Sequence, residues 1–298
     1  MKFVDIKNDI AFRKIFGNEN KKEILISFLN AVLELPRGKK IKKIEIKNPY
    51  QLPEIKGLKS SILDVSVTDE RDISYIVEMQ VEELEGFDKR VQYYTAKQYS
   101  SQIDRGDKYP ELNQVIFIGI LDFVFFSDDD SYITRHRTVN IKTQRSSLNG
   151  MEYNFIELPK FDKVFKKCKT LVDKWVFFIK NAENLEVIPE DIKDKGLKSA
   201  FEDAKKHNWT KEELAAYDYA AMRHQDEKGK MDLAVRKATE KAKQVAKQDE
   251  KIETAKEMIK ENFPKEVIAK ITKLSIETIE NLINEKLYAA GKTGKSLV

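Results

Sequence analysis

Two runs of apolar residues near the start of the chain recur at the spacing of a helix. The first run begins after Asn8, a residue type that suits a helix N-cap, and it ends at Gly17. The second run follows Asn20 and stops before Pro36. Because apolar residues at steps of three and four share one face of a helix, both runs predict amphipathic helices that pack against a core.

Alternation of apolar and polar residues then replaces the helical spacing. It is clearest over residues 61–68 and 75–81, which a polar stretch at 69–72 separates. Alternation is the pattern of a strand with two different faces, and the polar stretch suits a turn, so this part of the chain predicts a β-hairpin. A long helix over 84–104 and further strands over 41–48, 115–122, 132–141 and 153–158 are also predicted.

After Pro159 the apolar residues recur only at helical spacing. The rest of the chain therefore predicts helices alone, over 161–181, over 190–206 and from 210 onward. Residues 210–213 have the form of a capping box. We therefore expect an α/β fold, in which helices flank a mixed central sheet and an all-α C-terminal region follows. The predicted domains are a core at 1–160, a helical extension with a long charged helix at 161–260, and a short helix pair with a flexible tail at 261–298.

Two features of the C-terminal region have alternative interpretations. A seam of residues at steps of four and three runs from 231 to 259, with small residues and two charged breaks. It fits either a coiled-coil contact that forms a homodimer through the long helix or a solvated helix with little packing. Two short amphipathic helices are predicted on either side of Ser275, and their layout fits either a DNA-binding helix-turn-helix or an ordinary helix pair.

Composition limits the partners and the cellular compartment that the sequence allows. The chain has 298 residues, 35% of them charged, and its net charge of +4 permits nucleic-acid binding without requiring it. The single cysteine, Cys168, has no partner for a disulfide and no companions for a zinc site. The apolar stretches are too short to span a bilayer and the first residues lack the pattern of a signal peptide, so we expect a cytoplasmic protein without a membrane partner.

The register of the predicted hairpin brings two acidic residues together. If the turn is centred near Arg71, Asp64 lies opposite Glu78, and Gln80 projects from the same face. Directly opposed residues have Cβ atoms roughly 4.5–5.5 Å apart, and two carboxylates at that distance repel each other. A divalent cation would neutralise the pair, whereas the alternative is that these residues form the solvated face of an amphipathic hairpin.

Several segments of the chain resemble a known family. An aspartate in one strand, a Glu-x-Lys-like tripeptide in the next strand and a helix after them form the core of the PD-(D/E)XK nuclease superfamily. The order of the segments is more closely similar to the recombination-promoting nuclease group, also called PD-(D/E)XK nuclease family transposases, over roughly residues 1–180. The segments are 8–17, 63–65, 77–80, the helix residues Arg90, Tyr93, Tyr94 and Tyr99, and 109–112 before the strand at 115.

The resemblance implies a restriction-endonuclease-like core and a metal-dependent DNA endonuclease, serving recombination, transposition or defence against foreign DNA. Asp64 and Glu78 would hold the ion, Mg²⁺ or alternatively Mn²⁺, and Asp9 would be an accessory acid near it. Gln80 would stand where the superfamily usually has lysine, and Leu63 stands where it usually has proline. Asp9 also suits the first turn of a helix without any metal.

The helix that follows the hairpin carries the candidate residues for binding DNA. Arg90 and Lys97 would contact phosphates, with the Tyr93 hydroxyl as a helper, and they would supply the positive charge that Gln80 lacks. The alternative is that these are ordinary surface positions of the helix. At the level of the whole chain, a catalytically silent DNA-binding or assembly protein and an interaction module built on the seam remain alternatives to the nuclease.

Overall fold

The computed structural model describes residues 2–47, 50–51, 61–62, 64–104 and 107–293. The chain divides into two compact units, Met1–Met222 and Arg223–Val298. The chain end from 294 to 298, which belongs to the predicted flexible tail, lies outside the described residues. None of the described helices combines the length and the hydrophobicity that a membrane-spanning segment needs.

The first unit contains all the described strands and most of the helices. The chain runs through α1 (Asp9–Phe16), α2 (Glu23–Val32), β1 (Ile44–Ile46), β2 (Tyr50–Gln51), β3 (Ser61–Ile62), β4 (Val65–Asp69), β5 (Ser74–Gln80), α3 (Phe87–Ser100), β6 (Val115–Leu121), β7 (Ile133–Arg137), β8 (Met151–Glu157), α4 (Leu171–Asn181) and α5 (Lys195–Asp203).

Six of these strands form one mixed sheet in the order β1-β4-β5-β6-β8-β7. β4 and β5 form the predicted antiparallel hairpin, and β5, β6 and β8 run parallel to one another. β1 and β7 add antiparallel neighbours, while β2 and β3 pair with each other apart from this sheet. The expected α/β fold, a mixed sheet flanked by helices, is therefore confirmed.

Helices cover both faces of the sheet. On one face, α1, α2 and α4 pack their aromatic residues together, and the Phe16 ring lies 5.2 Å from that of Phe28 and 5.8 Å from that of Trp175. On the other face, α3 lays Phe87 and Val91 over the sheet. The residues beneath α3 include Ile76, Phe117 and Phe155, one from each of the three parallel strands. β6, between them, is buried along its whole length, as its continuous apolar run predicted.

The start of α4 differs from the sequence-based prediction. The helix begins at Leu171 and not at 161, because Thr170 caps it: Thr170 Oγ1 accepts a hydrogen bond from the Asp173 N–H at 3.1 Å. The Asp173 carboxylate accepts one from the Thr170 N–H in return, at 3.2 Å. Phe165–Lys167, inside the predicted helix, form one turn of 3₁₀ helix. The apolar spacing there was typical of a helix, but a local capping box fixed the boundary.

The predicted strand over 132–141 is also shorter in the structure. β7 ends at Arg137, and Asn140 then starts a turn in which its side chain accepts hydrogen bonds from the N–H groups of Lys142 and Thr143 at 3.0 and 3.1 Å. Asparagine side chains commonly replace strand pairing with such local bonds.

The first unit extends past residue 160, where the sequence predicted a domain boundary. α5 contributes Leu197 and Phe201 to the same buried core as the sheet and α2. α2 and α5 approach closely at Gly196, since a Cβ atom placed there would lie 2.3 Å from the Glu23 carbonyl oxygen.

The long helix α6 (Lys211–Lys260) begins as predicted. Glu213 accepts a hydrogen bond from the Thr210 N–H at 2.9 Å, and Thr210 accepts one from the Glu213 N–H at 3.2 Å, which confirms the capping box. Along the seam, Met231 and Val235 are 61% and 57% exposed.

The second unit contains α7 (Lys265–Thr272) and α8 (Ile276–Thr293) beside the end of α6. Their buried side chains form a small core of their own, and Lys273 adopts a left-handed conformation (φ 59°) that ends α7 and allows the turn. The helix pair predicted around Ser275 is therefore present, while DNA recognition by it stays a prediction. The core residues are Ala255, Ile259, Ile268, Leu274 and Ile279.

Candidate active site

The hairpin places Asp64 and Glu78 side by side. The observed register pairs Thr68 with Ser74, Ser66 with Ile76 and Val65 with Val77, which confirms the predicted pairing of β4 with β5. Asp64 lies one residue before β4, level with Glu78, and its Oδ2 accepts a hydrogen bond from the Met79 N–H at 2.9 Å. Because a main-chain donor holds this oxygen, the direction of the Asp64 carboxylate is fixed by the hairpin itself. Leu63 lies outside the described residues.

Glu78 is buried in the face that α3 covers. The residue is 3% exposed, and its Oε1 has no hydrogen-bond partner. Its neighbour on the same strand face, Ile76, packs against Phe87 and Val91 of α3. The alternative of a solvated hairpin face is therefore wrong at Glu78, because a helix lies over this part of the sheet.

Burial and mutual repulsion make ionisation of both acids unfavourable. Burial, followed by the charge of Asp64, raises the pKa of Glu78 to about 8, and Arg90 and Arg13 only partly oppose this shift. Burial also raises the pKa of Asp64, against the stabilising hydrogen bonds from Met79 and Arg13. A positive charge at this position would offset both the burial of the carboxylates and their mutual repulsion. The pair should therefore attract a proton or a cation.

Arg13, on α1, is a site residue that the sequence analysis missed. Its Nη2 and Nε lie 2.9 and 3.3 Å from the Oδ1 atom of Asp64. The apolar residues on both sides of Arg13 in α1 are buried in the core, and only the tertiary packing shows that Arg13 reaches the hairpin. The sequence signal available was the family-like segment 8–17, which contains this arginine but does not show its partner.

Gln80 and Arg90 form the second contact at the site. Arg90 Nη2 donates a hydrogen bond to Gln80 Oε1 at 2.7 Å, and the guanidinium carbon lies 5.4 Å from the centre of the Phe87 ring. The buried Nε of Arg90 has no hydrogen-bond partner. The structure therefore brings a cation from α3 next to Gln80. This cation is close enough to Glu78 to favour its ionised form.

The other predicted residues lie around this centre. Asp9 is exposed in the first turn of α1, and its charge contributes to the raised pKa of Asp64. Tyr93 is 42% exposed on α3, with its ring 6.2 Å from that of Tyr94, and Lys97 lies two turns beyond Arg90. Across the residues that the structure describes, no three Asp, Glu, His or Cys side chains form a group that could hold a metal ion. The role of Asp9 as a third ligand stays a prediction.

The two carboxylates fit the demands of a hard divalent cation. Magnesium is usually bound through one or two carboxylates, with water and phosphate oxygens completing its shell. Glu78 Oε1 is a buried oxygen without a partner, and Asp64 lies beside it with one oxygen already oriented by Met79. A cation would give Glu78 the partner that the protein does not supply.

Comparison with known proteins agrees with the fold. The profile of the PD-(D/E)XK nuclease family transposases matches residues 6–234, which span α1, the hairpin, α3 and the rest of the sheet. Neither a curated protein nor a solved structure matches the chain. Since the match covers well over half of the chain, the protein belongs to the PD-(D/E)XK nuclease family transposases.

Proposed function

We propose that this protein is a DNA endonuclease that depends on Mg²⁺, or alternatively Mn²⁺, and that hydrolyses phosphodiester bonds at the Asp64–Glu78 pair. One observation carries the proposal: a nearly fully buried carboxylate, Glu78, has a free oxygen and a second carboxylate beside it. Proteins rarely retain a buried acid without a partner beside a second acid for stability alone, because the repulsion and the burial both oppose folding.

In this proposal, Asp64 and Glu78 hold the ion and Asp9 is an accessory acid at its edge. When bound, such an ion polarises the scissile phosphate and lowers the pKa of a coordinated water. The Met79 N–H orients Asp64, and burial under α3 keeps water away from the inner side of Glu78. These two contacts preorganise the ligands, so little conformational entropy is lost when the site is filled.

Arg90 supplies the positive charge that the superfamily usually takes from lysine. Gln80 accepts its hydrogen bond and the Phe87 ring lies against its guanidinium, so that its position is set from two sides. Arg90 thus stabilises negative charge on the phosphate during cleavage. Lys97 and Tyr93, on the same helix, extend the contact along the DNA backbone.

A catalytically silent DNA-binding protein is the second candidate. Gln80 favours it, because an amide is neither a base nor a cation and its oxygen is already engaged by Arg90. The two candidates differ in one measurable property, since only the nuclease breaks phosphodiester bonds when metal is present.

Supercoiled plasmid is the substrate for the deciding experiment. Purified protein should nick it in Mg²⁺ or Mn²⁺ and should not nick it in EDTA. Asp64→Asn and Glu78→Gln keep the shape of each side chain and should each lower nicking by at least a hundredfold. Glu83→Gln, which removes an exposed carboxylate just after the hairpin, should cleave like the wild type.

Full activity in either the Asp64 or the Glu78 variant contradicts the proposed site. DNA retention at low salt without cleavage in any divalent metal supports the silent DNA-binding protein instead. Circular dichroism of each variant shows whether the fold is retained, so that loss of activity is assigned to the site.

The proposal also includes a cellular compartment and an oligomeric state. We place the reaction in the cytoplasm, where the protein would act on DNA in recombination, transposition or defence. We also propose a homodimer through the seam of α6, because Met231 and Val235 are apolar and largely exposed. Replacing both by glutamate should abolish the dimer in sedimentation equilibrium, and an unchanged mass would rule out this contact.

A further inference from the structure

Arg13 contacts the carboxylate proposed to bind the metal. Its Nη2 and Nε both point at Asp64 Oδ1, at 2.9 and 3.3 Å, while the Met79 N–H holds Oδ2. Both oxygens of Asp64 therefore have donors in the protein itself. Glu78 has a free Oε1 and differs from Asp64 in this respect.

The two partners in this ion pair are unequally exposed. The Asp64 side chain is 14% exposed, whereas that of Arg13 is 45% exposed. A half-exposed arginine can move into solvent at small cost, while the buried carboxylate stays where the hairpin holds it. The guanidinium is therefore the partner that can leave the pair at the lower cost.

Arg13 also carries the type of charge that the site requires. Its positive charge lowers the cost of ionising Asp64 and, at longer range, of ionising Glu78. A divalent cation next to Asp64 would do the same, and the two cations would repel each other at a separation of a few ångströms. The Arg13 guanidinium and a metal ion would therefore compete for the same carboxylate.

We propose that Arg13 is a built-in counter-ion that neutralises Asp64 in the metal-free protein and competes with the divalent cation for that carboxylate. This inference rests on the proposed function, because it assumes that the Asp64–Glu78 pair binds metal. Arg13 is a positioning residue: it keeps the acids in place before metal arrives and is displaced from Asp64 Oδ1 when metal binds. Its removal should thus tighten metal binding, whereas removal of a residue that only supports the ligands would weaken it.

The binding of Mn²⁺ without DNA tests this competition. Free Mn²⁺ is measured by electron paramagnetic resonance during titration of the full chain. Arg13→Gln should bind Mn²⁺ about tenfold more tightly than the wild type, which corresponds to about 1.4 kcal/mol. Arg13→Lys keeps the charge and should stay within about twofold of the wild type.

Lys14 offers a matched control on the same helix. It carries the same charge as Arg13 but pairs with Glu213 and lies over the Trp209 ring, away from Asp64. Lys14→Gln changes the net charge by the same amount, so any general attraction of cations to the protein changes equally. Its affinity for Mn²⁺ should stay within about twofold of the wild type.

Thermal unfolding in EDTA provides a second measurement. Arg13→Gln should melt below the wild type, because Asp64 and Glu78 lose a counter-ion. Saturating Mn²⁺ should then raise its melting temperature by more than it raises that of the wild type, because tighter binding stabilises the folded state further. A merely structural loss would lower both temperatures alike.

Each outcome decides the inference. Unchanged or weaker Mn²⁺ binding by Arg13→Gln overturns it, as does equal tightening in Arg13→Lys or Lys14→Gln. If Asp64→Asn binds Mn²⁺ as tightly as the wild type does, the metal does not bind at the Asp64–Glu78 pair. The proposed function is then refuted together with the role of Arg13. If Asp64→Asn weakens Mn²⁺ binding but Arg13→Gln does not tighten it, only the role of Arg13 is refuted, and the proposed metal site stands.

Discussion

Replacing Glu78 by glutamine should stabilise the metal-free protein, although it removes a proposed metal ligand. Glutamine keeps the size of the side chain but carries no charge, so it removes the repulsion from Asp64 and the cost of burying an ion. Its amide can donate a hydrogen bond towards the neighbouring Asp64 carboxylate. Stability and function should therefore move in opposite directions at this position.

The magnitude follows from the ionisation of Glu78. Burial, and then the charge of Asp64, raises its pKa from 4.5 to about 8, and each unit of difference corresponds to about 1.4 kcal/mol. Since the raised value belongs to the folded state, the penalty is small near pH 5, at about 1 kcal/mol, grows with pH and is nearly complete at pH 8. At pH 7.5 we expect Glu78→Gln to raise the free energy of unfolding by about 2–3 kcal/mol, after the burial cost of the amide is deducted.

Urea unfolding in EDTA, followed by tryptophan fluorescence, measures this difference. The only two tryptophans, Trp175 and Trp209, lie in the first unit with Glu78, so the signal reports the relevant part of the chain. Glu83→Gln serves as the exposed control and should change stability by less than about 0.5 kcal/mol. Equal stability of wild type and Glu78→Gln at pH 7.5, or a gain that does not shrink at pH 5, would refute the reasoning.

Three further predictions address other parts of the first unit. Burial alone would raise the pKa of Asp173, but hydrogen bonds from Lys163, Tyr132 and Thr170 hold this pKa at about 2. Asp173→Asn should therefore lower the free energy of unfolding, measured in urea, by about 2 kcal/mol at pH 7. This difference should shrink as the pH falls from 4 towards 2. Gly196→Ala should lower stability by about 1–3 kcal/mol in the same assay, because its methyl group would overlap the backbone of α2. Arg90→Gln should slow plasmid nicking at saturating Mg²⁺ by about a hundredfold, and Arg90→Lys by less; unchanged rates would remove Arg90 from the mechanism.

The hairpin shows what the sequence was able to predict. Its alternation gave the right register, because a slip by one residue would turn Val65, Val67, Tyr75 and Val77 away from the core. That register alone placed Asp64 beside Glu78. Period-two alternation is a local property of the chain, so one sequence was sufficient for this part of the site.

The arginines show where prediction from the sequence stopped. Arg13 lies 51 positions from Asp64, and its contact depends on how α1 packs against the sheet. The same holds for the burial of Glu78, since alternation cannot tell whether a polar strand face meets water or lies under a helix such as α3. Element boundaries failed where side chains such as Thr170 and Asn140 form local hydrogen bonds that apolar spacing does not reveal.

Anomalous diffraction from crystals soaked in Mn²⁺ is the most direct test of the central claim, that Asp64 and Glu78 form a metal site. We expect an anomalous peak between the two carboxylates, at about 2.0–2.3 Å from an oxygen of each, with the Arg13 guanidinium moved away from Asp64 Oδ1. Crystals of Asp64→Asn should lack the peak. An ordered pair without a peak at saturating Mn²⁺, with Arg13 still bound to Asp64, would contradict the claim.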